Sequence, residues 1–117
     1  MKPVVKSIFS SDIDDLINFI PDKDNNFCIQ VRAIVGPDNG EGEESVDFEI
    51  CTPLWLKQKY GPDNVITGSD KLIVFRYDYK SIKAKITRLL ESCEGDTWEN
   101  CGNQMSKFGL WEFENYK

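Results

Sequence analysis

Six carboxylates, Asp38, Glu41, Glu43, Glu44, Asp47 and Glu49, fall within twelve consecutive positions. Such a run could hold a calcium ion, supply an acid–base pair, or present a charged surface to a partner. Calcium fits poorly. Asp38 and Glu49 have the spacing of the first and last ligands of an EF-hand loop, but the third and fifth positions are Gly40 and Gly42, and Glu43 stands where the sharp turn needs glycine. Acid–base catalysis needs two carboxylates set apart by their environments, and no pair is singled out. Histidine is absent, which removes the commonest general base near neutral pH and the commonest metal ligand. Cys28, Cys51, Cys93 and Cys101 lack the short spacing of a zinc knuckle or redox motif. There is no Gly-x-Ser-x-Gly elbow, no phosphate-cradling loop and no dinucleotide fingerprint. No catalytic residue, metal ligand or cofactor is therefore expected. The alternative reading is a small acidic hydrolase with an unidentified carboxylate pair.

Charge points toward binding. The first 56 residues carry eleven carboxylates against four basic side chains, a net −7, and the remaining 61 carry nine against ten, a net +1. The whole chain stands at −6, which opposes nucleic acid, whose affinity for proteins comes largely from Lys and Arg displacing counterions. A basic protein surface is the expected partner. The six carboxylates of Asp38 to Glu49 are the candidate contact; Asp12, Asp14 and Asp15 have an ordinary structural explanation in helix capping and the helix dipole, and are weaker candidates for a second contribution to the same acidic face.

At 117 residues and 40% hydrophobic, the chain suits one domain over residues 1–117. No apolar run approaches the roughly 18 residues that span a bilayer, and the N-terminus has no signal segment, so a cytoplasmic protein with reduced cysteines is expected. Residues 3–9 read as a strand, and Ile13, Leu16, Ile17 and Ile20 recur at helical spacing before Pro21. Phe27, Ile29, Val31, Ala33 and Val35 alternate with other residues, as do Val46, Phe48 and Ile50, predicting a hairpin with a long acidic connection. Thr52-Pro53 opens a short helix that stops near Gly61-Pro62. Leu72 to Tyr77 reads as a strand, and Ile82, Ile86, Leu89, Leu90 and Cys93 mark one face of an amphipathic helix whose other faces carry Lys80, Lys83, Lys85 and Arg88. Trp98 to Lys107 reads as a further helix weakened by Gly102, and Trp111-Glu112-Phe113-Glu114 as a closing strand. This order predicts an α+β fold: a single domain, mainly an antiparallel sheet with amphipathic helices packed on it.

Taken in order, these segments resemble the immunity protein 8 family of bacterial polymorphic toxin and contact-dependent growth inhibition systems. The correspondence starts with Ser11-Asp12, Leu16 and Pro21 and continues through the Phe27 to Gly36 strand and Asp47-Phe48-Glu49-Ile50-Cys51-Thr52-Pro53-Leu54-Trp55-Leu56. It goes on through Leu72-Ile73-Val74, Tyr77-Asp78, the Ile82 to Leu90 helix and Trp98-Glu99 to Trp111-Glu112-Phe113-Glu114-Asn115-Tyr116. The most specific pieces are the Cys-Thr-Pro-Leu-Trp-Leu junction and the Trp-Glu-Phe-Glu end. The resemblance implies a non-catalytic protein that binds and blocks the C-terminal domain of a cognate toxin in the cytosol. It carries no contact residue, because its motif residues read as scaffold. The contact comes from the charge reading, which suits a nuclease with a basic cleft.

Overall fold

Alternation over two adjacent segments builds the centre of the molecule. The computed structural model describes residues 1–38 and 40–113. In it β2 (Cys28–Pro37) and β3 (Glu44–Cys51) pair antiparallel over eight register positions. Ile29 faces Ile50, Val31 faces Phe48 and Ala33 faces Val46, so every apolar member of the alternation falls on one buried side. β1 (Pro3–Phe9) joins the free edge of β2 antiparallel. The other edge of β3 is shared end to end. β4 (Lys71–Ile73) runs parallel to Glu49–Cys51, and β5 (Leu110–Trp111) runs antiparallel beside Val46 and Asp47. The result is a mixed five-stranded sheet with three helices, an α+β architecture, antiparallel except for β4.

The helices complete the buried side. In α2 (Tyr79–Glu91) the predicted stripe buries Ile82, Ile86 and Leu90 in the same cluster as Val31, Phe48 and Ile50, each worth about 1.5–3 kcal/mol of burial. α3 (Trp98–Met105) adds Met105 and lies close to β5: a Cβ on Gly102 would stand 2.3 Å from the Trp111 ring, so glycine is what permits this approach. The expected helix weakener is a packing requirement. No helix among the described residues is long and apolar enough to cross a membrane.

α1 (Pro53–Tyr60) begins where expected, with Thr52 as its cap and Pro53 in its first turn. Thr52 is fully buried and does more than cap. Its hydroxyl accepts from the Phe27 N–H at 3.1 Å and from the Trp55 N–H at 3.4 Å, and it donates to the Phe27 carbonyl. Replacing it by valine keeps the shape but strands a buried N–H, so Thr52→Val is expected to cost about 1–3 kcal/mol, read as a lower urea midpoint with an unchanged slope.

Three expectations are corrected. The helix read from Ile13 to Ile20 is a succession of bends and turns, in which Leu16 is buried but Ile17 and Ile20 are exposed. Side chains take the backbone groups a helix would use: the Ser10 hydroxyl accepts from the N–H groups of Asp12 and Ile13, Asp15 Oδ1 accepts from those of Ile17 and Asn18, and the Tyr77 hydroxyl donates to the Leu16 carbonyl. The strand read from Leu72 to Tyr77 stops at Ile73. Its partner β3 ends at Cys51, where the last bond is donated by Val74 N–H, and the chain then turns into α1. The closing strand read from Trp111 to Glu114 is shorter and starts earlier: it is Leu110–Trp111, Glu112 and Phe113 form a turn although Glu112 N–H still bonds the Ser45 carbonyl, and Glu114 lies outside the described residues.

Candidate functional site

The acidic connection between β2 and β3 is held in shape from β1. Pairing along β1 and β2 skips Lys6, a bulge, and the side chain so released donates through Nζ to the Gly42 carbonyl at 3.1 Å. The connection folds back over Gly36, where a Cβ would stand 2.2 Å from that same carbonyl oxygen. Asp38 N–H bonds the Lys2 carbonyl at 3.0 Å. On this support Asp38, Glu41 and Glu43 are exposed, and among the described residues their carboxylates make no hydrogen bond or ion pair.

The other predicted contact residues divide by what they already hold. Glu44 points toward α3 and accepts from the Trp98 indole N–H. Asp47 grips Arg32 through two bonds of 2.7 and 2.9 Å, and those bonds, with the Asp47 charge, raise the guanidinium's affinity for its proton. Glu49 accepts from Gln30 Nε2 at 3.1 Å and lies 3.7 Å from Lys71 Nζ. Burial lowers the Lys71 pKa, but Asp70 and Glu49 outweigh it and the net shift is upward. Asp12 accepts the Gln30 N–H at 2.9 Å, standing in for the ladder where β1 has ended. Asp15 is kept below the usual carboxylate range by its bonds to the Asn18 side chain and backbone. Asp14 is exposed on the same turn.

Arg32, Asp47 and Glu49 share the side of the sheet opposite the core. Register places Phe9 of β1 beside Arg32, Arg32 beside Asp47, and Asp47 beside Leu110 of β5. A single row thus crosses four strands as apolar, cation, anion, apolar. Phe9 and Leu110 remain 45% and 43% exposed, and the side chains of Arg32 and Asp47 48% and 31%. A depression of about 180 Å³ lies between Phe9, Ser11, Gln30, Arg32 and Asp47. Phe9, Arg32 and Leu110 were not among the residues predicted from sequence, and only the pairing register brings them together.

All four cysteines are free thiols; Cys51, Cys93 and Cys101 are buried and Cys28 is half-buried. Cys28 and Cys51 face each other across β2 and β3 at the end where Glu49 sits. Burial, with the Glu49 charge, pushes Cys28 up to about 12 and Cys51 up to about 11. The unfolded chain releases these protons near 9.0 and the folded chain holds them longer, so stability is complete below that pH and falls as pH rises toward 11 and 12. Urea midpoints measured below 9.0 and near 11 should show the loss, and a Cys28→Ala/Cys51→Ala variant should lose less over that interval.

The arrangement suits recognition: an acidic loop tethered at Asp38 and Gly42 beside an open sheet face, with the other carboxylates tied into the scaffold. No curated protein and no solved structure matches the chain. The model of the family described as immunity protein 8 matches residues 4–116, nearly the whole length. The chain belongs to the immunity protein 8 family.

Proposed function

We propose that the protein acts as a single immunity domain that neutralises one cognate toxin in the cytoplasm by direct binding, without catalysis, and that the toxin is a nuclease with a basic cleft. Membership of the immunity protein 8 family over residues 4–116 carries the reading. The loop chemistry supports the finer part. Asp38, Glu41 and Glu43 are exposed carboxylates free of ion pairs among the described residues, spaced along a loop tethered at Asp38 and Gly42, and a surface evolved to hold phosphates offers them the opposite potential. Asp47, Glu49, Glu44 and Asp12 to Asp15 shape the surroundings of that loop and add to its field. Coexpression with the C-terminal domain of the cognate toxin tests the proposal. The expected result is survival of the host and copurification of a one-to-one complex; unrelieved toxicity with no complex overturns it.

A further inference from the structure

The exposed acidic loop supplies charge but no apolar anchor, and a tight protein interface needs a desolvated centre inside its polar rim. The geometry points to the open face of the sheet as that centre: the toxin seats across the row Phe9, Arg32, Asp47 and Leu110, with Phe9 and Leu110 as anchors and the acidic loop as rim. This inference rests on the immunity reading and names its contact surface.

Three observations select this face and this occupant. The row is straight, because it follows register across four hydrogen-bonded strands, so at about 4.8 Å per strand its two apolar ends stand about 14 Å apart. That is a rigid, pre-built platform. Its ends are large apolar side chains left nearly half exposed on a small protein, while the opposite face of the same strands is sealed by α2 and α3. Its charge favours a cationic partner: of the face's cations, Arg32 and Lys71 are already paired with Asp47, Glu49 and Asp70, and Lys6 lies over Gly36 with its ammonium on the Gly42 carbonyl, while Glu112 adds a further negative charge beside Arg32. The field left over is negative, continuous with that of the loop through β3, and it complements a surface built for phosphates.

Arg32 and Asp47 in the centre have a second consequence. Their mutual bonds satisfy both charges before binding, so covering them with the toxin leaves no charge buried alone. Apolar anchors around a self-neutralised pair bind mainly by slowing dissociation, whereas the loop acts mainly on association.

The test uses the full chain and the purified C-terminal domain of the cognate toxin. Phe9→Ala/Leu110→Ala is expected to raise the dissociation rate about 30-fold while the association rate changes less than about threefold. Hydroxyl-radical footprinting of the unaltered protein gives a readout independent of whether the variant folds, and Phe9 and Leu110 should be protected in the complex and reactive alone. A complex that forms with Phe9 and Leu110 still reactive overturns the seat and leaves the immunity reading standing. Absence of any complex overturns both. Protection of the two residues in the isolated protein, accompanied by sedimentation as a dimer, would assign the face to a second copy of this chain and overturn the toxin seat.

Discussion

Reversing Asp38, Glu41 and Glu43 to lysine is expected to slow association with the toxin domain about 100-fold at low salt and to remove most of its salt dependence. Each reversal adds two positive charges, so the triple variant brings the chain from −6 to neutrality and places the change at the point of first encounter. Steered pairs associate at up to about 10⁸–10⁹ M⁻¹s⁻¹, against roughly 10⁵–10⁶ for neutral ones, and it is this difference that the reversal removes. Glu44 is left unchanged because its carboxylate holds the Trp98 indole N–H, and reversing it would disturb α3 as well as the field. Stopped-flow association measured from low to physiological salt reads the effect. Rates that match the unaltered protein at every salt concentration would remove the loop from the contact.

The second large effect is on stability. Phe48→Ala is expected to cost about 3–5 kcal/mol, a large share of the about 5–15 kcal/mol that holds a typical domain together. Phe48 is fully buried beside Val31, and its ring closes on Gly109, where a Cβ would stand 3.0 Å from it. Neither the strand backbones nor the segment at Gly109 can collapse far into the space, so most of the cavity should persist. The residue before it provides the contrast. Asp47 points to the open face and holds an exposed partner, and its replacement by alanine should cost less than about 1 kcal/mol. Urea unfolding of the two variants side by side should separate them clearly; similar midpoints would mean the alternation has been assigned to the wrong faces.

The hairpin and α2 were legible in the sequence because their signals are local. A period of two over Phe27 to Val35 and over Val46 to Ile50, and a helical stripe through Ile82, Ile86 and Leu90, each state a buried face without reference to the rest of the chain. The turn-rich segment from Ile13 to Ile20 carried the same kind of stripe and misled, since Ser10, Asp15 and Tyr77 offered its backbone other partners. Tyr77 is 61 positions from the Leu16 carbonyl it bonds, beyond any local pattern. The acidic run was plain in the sequence, but the division of its labour was not. Whether a carboxylate is exposed, like Glu41, or tied, like Glu44 to Trp98, depends on what distant segments bring to it. The open row was hidden for a related reason. It requires both the bulge at Lys6, which fixes how Phe9 meets Arg32, and the pairing of Leu110 with Asp47.

Neutralisation by binding is tested most directly by titrating a fixed amount of active toxin domain with the purified protein and following the remaining toxin activity. Direct, tight binding predicts a straight decline that ends at one molecule of protein per molecule of toxin, with activity returning when the complex is dissociated. Loss of activity from many toxin molecules per molecule of protein, persisting after the two are separated, would show a catalytic inactivation and contradict it.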